Sequence, residues 1–219
     1  MNPNLKPSYS VRPLSTKAGS HDIWAGVEVL DHFVQPWTKG PVQRTCFSAL
    51  YDQRSLYVRY VVEDSKILIY RDMDDKLEVA FSDRVEIFFK SDGAMNPYYC
   101  LEIDPMGRVL DYRASYYRNF DYGWHWPEGQ LSLKTENSTN GYTVELNIGL
   151  DSLRDLGILN NGTMGAGLFR GDCKNLGDPK GREPQINWIS WMDPGTEFPD
   201  FHVPTAFGEL ILLDGPGQR

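Results

Sequence analysis

Two glutamates stand at equivalent places in strand-like segments, Glu86 in DRVEIFFKS and Glu102 in YYCLEIDP. Side chains alternate between the two faces of a strand, so residue parity separates them. In the first segment Val85, Ile87 and Phe89 share one face, and Glu86 and Phe88 share the other. In the second, Tyr99, Leu101 and Ile103 form the apolar face, while Tyr98, Cys100, Glu102 and Asp104 lie opposite. If the two strands pair, Glu86 and Glu102 project from one side of one sheet. The same counting in GAGLFRGD turns Phe169 toward the core and adds Arg170 to the carboxylate face. Two carboxylates, a guanidinium and nearby rings can accept and donate hydrogen bonds to a ligand rich in hydroxyls while stacking on its flat faces. They could also act as acid and base across a glycosidic bond. The plain alternative is a solvated outer face.

The rings for such a surface are plentiful. Aromatic residues make up 13% of the chain, with 12 Tyr, 10 Phe and 6 Trp. Trp124 and Trp126 fall in YGWHWPEG, and Trp188 and Trp191 in NWISWMDPG. Directly after that run, EFPDFHVPTAFGELIL brings Phe198, Phe201, His202 and Phe207 into one proline-restricted segment before an apolar closing strand. Pro199 and Pro204 limit its freedom and so lower the cost of ordering it around a ligand.

Other chemistries find less support. The net charge of -8 and the absence of a Lys/Arg run argue against nucleic acid. His21, His32, His125 and His202 show no zinc spacing, and Cys46, Cys100 and Cys173 form no CxxC pair. Three widely spaced cysteines permit at most one bridge, which excludes a disulfide scaffold. The glycines of GAGLFRG miss the dinucleotide-binding spacing by one residue and fit a strand with close backbone packing. Acidic residues around Glu63, Asp64, Asp72, Asp74 and Asp75 offer hard oxygen donors of the kind calcium takes. Solvated acidic loops look the same, and no ligands are assigned. No stretch approaches the roughly 18 apolar residues of a membrane span, and the N-terminus lacks an apolar signal core. The expected location is the cytoplasm, or outside the cell or in the periplasm if a signal peptide has been removed.

The elements that must carry these residues are short β-rich runs between Gly, Pro, Asn and Asp clusters, a pattern of all-β folds. Ten strands are expected: RTCFSALYD, SLYVRYVVED, DRVEIFFKS, YYCLEIDP, VLDYRASYY, QLSLKTEN, GYTVELNIG, GAGLFRGDC, INWISW and FGELILL. DSLRDLGI, residues 151 to 158, is the one short helix, with Asp151 as its N-cap. Residues 64 to 83 form a long excursion between two strands. Length and composition are those of one domain, 1–219, with residues 1–20 as an N-terminal arm and 215–219 as a flexible tail.

In this order and spacing the segments ALYDQRSLYVRYVVED, SDRVEIFFKSDG, YYCLEIDPMGRVLDY, GYTVELNIGLDSL, GAGLFRGD and WISWMDP with FHVPTAFGELIL resemble the family 9 carbohydrate-binding modules and their single-domain relatives. The resemblance spans nearly the whole chain. It implies a two-sheet antiparallel β-sandwich, jelly-roll-like, that binds oligosaccharide or polysaccharide without cleaving it. Xylan, cellulose or a related plant glycan is the expected ligand, with a glycoside hydrolase attached or nearby and structural calcium often present. In those modules two Trp rings clamp a sugar. Trp191 matches one of them and Glu86 matches a hydrogen-bonding Glu, whereas Ala80 and Phe81 stand where the other Trp is expected. Glu102 aligns with a sugar-binding Arg and resembles the single-domain branch. The expected binding set is Trp191, Glu86, Glu102, Arg170, Trp124, Trp126, Trp188 and Tyr98. A glycan hydrolase, or a sandwich that has lost sugar binding, are the alternatives.

Overall fold

A computed structural model describes residues 6–14, 22–72, 75–177 and 181–214. The strands are β1 (Ser8–Pro13), β2 (Thr45–Tyr51), β3 (Ser55–Glu63), β4 (Arg84–Lys90), β5 (Tyr98–Ile103), β6 (Val109–Ser115), β7 (Asn119–Asp121), β8 (Leu131–Ser138), β9 (Gly141–Gly149), β10 (Thr163–Asn175), β11 (Gln185–Ser190) and β12 (Gly208–Leu212). The helix α1 covers Leu150–Asp155. One layer runs β7-β6-β5-β4-β10, and the far edge of β10 carries β12 along its first part and β11 along its second. The other layer is β2-β3-β9-β8.

All ten expected strands form. The additions are β7 and β1, the latter inside the segment expected to be an arm. Strand β1 joins the layers by pairing with β12 through Ser8–Val11 and with β2 through Arg12 and Pro13, both in parallel, so the sandwich is antiparallel except at this seam. The remainder of the arm, residues 1–5 and 15–20, and the tail 215–219 lie outside the described residues. Helix α1 starts one residue earlier than expected. Gly149 is its N-cap and makes no side-chain cap, while Asp151 lies in the first turn and pairs with Arg154 at 2.8 Å. Gly157, at φ +70°, follows its last turn in the left-handed conformation that glycine adopts most readily.

The interior between the layers is built as parity requires. Val85, Ile87, Phe89, Leu101, Ile103 and Leu168 meet Leu56, Val58, Tyr60, Val144, Leu146 and Ile148. The opposite face of the first layer is also covered. Phe88, Tyr98, Cys100, Tyr112 and Phe169 pack beneath Val79, Met95, Phe201, Ala206 and Phe207 in a second apolar cluster. Every residue of β4 and β5 is consequently buried. The solvated outer face considered for these strands does not exist, because the segment between β11 and β12 folds back across it. Strand β8 follows the open pattern instead, alternating half-buried and exposed residues.

Candidate functional site

Where that covering segment leaves a gap, a cavity of about 90 Å³ remains against the outer face of β4 and β5. Its floor is charged. Glu86 and Glu102 stand directly opposite each other in the β4–β5 register, as parity anticipates. Arg84, two residues before Glu86 and on the same face, lies between them. Its Nε donates to Glu102 Oε2 at 2.7 Å and sits 2.9 Å from Glu86 Oε1. Its Nη1 donates to the carbonyls of Ala80 and Ser82. Tyr112 on β6 donates to Glu102 Oε1 at 2.9 Å, so both oxygens of Glu102 are engaged.

Glu86 differs. It is 2% exposed, and its Oε1 receives no hydrogen bond, because the nearby Arg84 Nε–H is directed to Glu102. Burial and then the charge of Glu102 raise its pKa, with Arg84 opposing both. A buried acceptor left without a donor costs on the order of 1–3 kcal/mol, more when charged, unless something supplies one.

The walls are aromatic. Trp188 on β11 faces Gly171 of β10, and the Arg84 guanidinium lies 5.0 Å from the Trp188 ring centroid. A Cβ at Gly171 would stand 2.9 Å from Arg84 Nη1, so glycine makes room for the guanidinium. From the covering segment, Phe201 stacks on Phe169 at 4.0 Å and 11° and meets Trp188 edge-on at 5.5 Å. Trp37 anchors that segment by donating from Nε1 to the Thr196 carbonyl at 2.9 Å. His202 stacks over Phe88 at 5.3 Å, and its Nδ1 lies 3.0 Å from the Tyr98 hydroxyl. Burial, reinforced by Arg118, lowers the His202 pKa to about 3, so the imidazole is uncharged at neutral pH. Arg118 and Asp200, paired at 3.0 Å, complete the rim.

Of the expected binding set, Glu86, Glu102 and Trp188 therefore line one cavity, with Tyr98 fully buried beneath it and holding His202. Arg170 does not join them. The register places Phe169 opposite Glu86 and Arg170 opposite Val85, which turns the guanidinium inward and sends Phe169 to the outer cluster. Trp191 also points inward. It is 8% exposed and packs in the interior against Gly208, where an added Cβ would lie 2.6 Å from its ring. Trp124 and Trp126 close the interior beside Tyr99, and the Trp126 indole donates to Ser152 Oγ at 3.3 Å. Ala80 serves the cavity through its carbonyl, and Phe81 packs on Tyr70. Arg84, Tyr112, Arg118 and Asp200 were missed. Parity alone could have found Arg84, while the others arrive from turns and a third strand.

The acidic residues considered for calcium disperse. Glu63 faces Arg44, Asp75 caps the 3₁₀ turn Lys76–Phe81, Asp72 is exposed, and Asp74 lies outside the described residues. A different trio, Asp64, Asp83 and Asp172, brings oxygens within 4.8 Å of one another at the inner edge of the first layer. Arg170 already fills the role of cation there, 2.8 Å from Asp64 and 3.6 Å from Asp172. Lys174 and the N–H groups of Lys66 and Cys173 take further oxygens at 2.7–2.8 Å. As arranged, this donor set does not fit a calcium ion. The cysteines are all free and buried. Among the described residues no helix is long and apolar enough to cross a membrane.

Solved structures share the architecture. A candidate carbohydrate-binding protein from Bacteroides uniformis superimposes with a TM-score of 0.70 at 18% identity, covering 95% of this chain and all of the other. A family 9 carbohydrate-binding module from Caldicellulosiruptor kristjanssonii, solved with cellotriose, gives 0.60 at 19% identity over 96% of each chain. A module of the same family and organism solved with glucose gives 0.57 at 21%, over 97% of this chain and 99% of the other. At such identities the likeness establishes the fold. No curated relative matches the chain. The sequence itself matches the family described as carbohydrate family 9 binding domain-like over residues 19–215, nearly its full length. With the sandwich and this match together, the chain belongs to the carbohydrate family 9 binding domain-like family.

Proposed function

We propose that the chain binds neutral glycans without cleaving them, with one sugar ring entering the cavity between Trp188 and the Phe201–His202 wall. The observation that carries this reading is the Glu86–Arg84–Glu102 cluster on the floor of an aromatic-lined cavity. The cluster offers donors and acceptors to sugar hydroxyls, and the rings supply apolar faces for the sugar C–H groups. One guanidinium is shared by two glutamates and Arg118 is balanced by Asp200, so the lining residues leave no spare cation for an acidic sugar. The ligands of the Caldicellulosiruptor modules, cellotriose and glucose, make β-glucans the first choice and xylan the second. In that role the chain would hold a polysaccharide-degrading enzyme, a glycoside hydrolase, near plant-type glycan.

The same geometry speaks against a hydrolase reading. A glycosidase places an acid and a base or nucleophile on either side of the bond it breaks. Here both glutamates lie side by side on one wall, tied to one guanidinium, and each oxygen of Glu102 already has a donor. Calorimetric titration with cello- and xylo-oligosaccharides and glucuronic acid, with chromatography of the sugars afterwards, tests the proposal. Saturable binding of neutral sugars, no breakdown, and a loss of about two- to tenfold in Glu86→Gln are expected, from the ~0.5–1.5 kcal/mol of a hydrogen bond. Breakdown of the sugars, or a Glu86→Gln protein that binds as tightly as the parent, would overturn it.

A further inference from the structure

We infer that the cavity continues into a second sugar subsite on an aromatic rim formed by Tyr117 and Phe198, which receives the next pyranose unit of the same glycan chain. The inference rests on the sugar-binding reading of the cavity. Tyr117 is 55% exposed and Phe198 71%, with Tyr116 beside Tyr117 at 52%. Scattered apolar residues at a surface are ordinary, but a group of large rings next to a cavity marks a place of contact.

Both rings connect to the cavity wall through named residues. The Tyr117 hydroxyl donates to Asp200 Oδ2 at 2.5 Å, and the Arg118 guanidinium stands 5.9 Å from the same ring, while Asp200 and Arg118 both line the cavity. Phe198 immediately precedes Pro199, another lining residue, and its carbonyl accepts from Thr196 Oγ1 at 2.8 Å. Tyr117 is thus held before a ligand arrives, which lowers the ordering cost of binding. Its chemistry fits a neutral sugar. Flat rings complement the C–H faces of a pyranose, and the adjoining Arg118–Asp200 pair is already charge-balanced and leaves polar edges for hydroxyls.

The test compares glucose with cellobiose and cellotriose by calorimetry in the full chain, in Phe198→Ala/Tyr117→Ala, and in Tyr117→Phe, with thermal unfolding as the check on folding. The parent should bind the oligosaccharides about three- to tenfold more tightly than glucose, as one or two stacking contacts predict. The double variant should lose that ratio. Tyr117→Phe, which keeps the ring and drops the bond to Asp200, should retain it. A ratio that survives in the folded double variant, or a parent that binds glucose and cellotriose equally, would sink the subsite while leaving the cavity reading intact, provided glucose binding still depends on Glu86. Failure of every sugar to bind would sink both.

Discussion

Replacing Arg84 with Met removes the cation shared by two buried carboxylates, and the outcome can be worked out from the charges. Glu86 and Glu102 are 2% and 6% exposed, face each other across β4 and β5, and both lie against Arg84 Nε at 2.9 and 2.7 Å. Without the guanidinium they repel by about 3 kcal/mol, taking ~5 Å separation and an effective dielectric of ~20. Stripping one partner from a buried ion pair costs about 3–5 kcal/mol. The cation–π contact with Trp188 adds about 0.5–1 kcal/mol, which does not depend on pH. The charge effect should therefore dominate and should titrate. Burial and Glu102 already hold the Glu86 pKa above its ordinary value, and loss of Arg84 raises it further. An acid whose folded pKa is raised contributes stability that is complete below its unfolded value and disappears as pH rises through the folded one. Arg84→Met should be less stable than the parent by about 3–5 kcal/mol at pH 9, with the deficit about 1 kcal/mol smaller at pH 7, because the parent's own Glu86 pKa is already raised to about 8 and the two proteins differ in its protonation only above that. Urea unfolding followed by tryptophan fluorescence at both pH values measures this, and Arg84→Met/Glu102→Gln should recover much of the loss. A deficit that is the same at both pH values, or no recovery in the double variant, would refute the electrostatic account.

Three further predictions address the surroundings of the cavity. Gly171→Ala puts a Cβ 2.9 Å from Arg84 Nη1 and should cost about 1–3 kcal/mol in urea unfolding together with sugar affinity; an unchanged protein would show that Arg84 has room to shift. His202, with a folded pKa lowered to about 3, contributes stability present above about pH 6.5 and lost as pH falls toward 3. The stability advantage of the parent over His202→Gln should fall by about 2–3 kcal/mol between pH 7 and pH 4, and a flat difference would contradict a buried neutral imidazole. Arg170→Met leaves Asp64, Asp83 and Asp172 without their central cation and should cost about 3–5 kcal/mol. In thermal unfolding, millimolar calcium should raise the melting temperature of this variant more than that of the parent, and equal shifts would show that Arg170 does not occupy a cation's place.

Residue order alone determined the strand-by-strand alternation, the opposition of Glu86 to Glu102, the family, and the aromatic segment Phe201–His202 that closes the cavity. These follow from local periodicity and from patterns confined to a few neighbouring residues. Tertiary structure decided the rest. Arg170 moved to the interior because a strand's parity says which residues share a face, and only the register against β4 says which face that is. Trp188 and Trp191 are three residues apart and so leave the backbone on opposite sides, and the pairing of Trp188 with Gly171 decides which of them faces the cavity. Strand β1 escaped notice because SYSVRP gains its place from parallel partners near opposite ends of the chain, β2 and β12. Whether the carboxylate face would be wet or covered depended on residues 194 to 207 folding across it, and composition does not encode that contact. Side-chain periodicity is written in adjacent residues, whereas burial, register and the convergence of charges arise when distant segments meet.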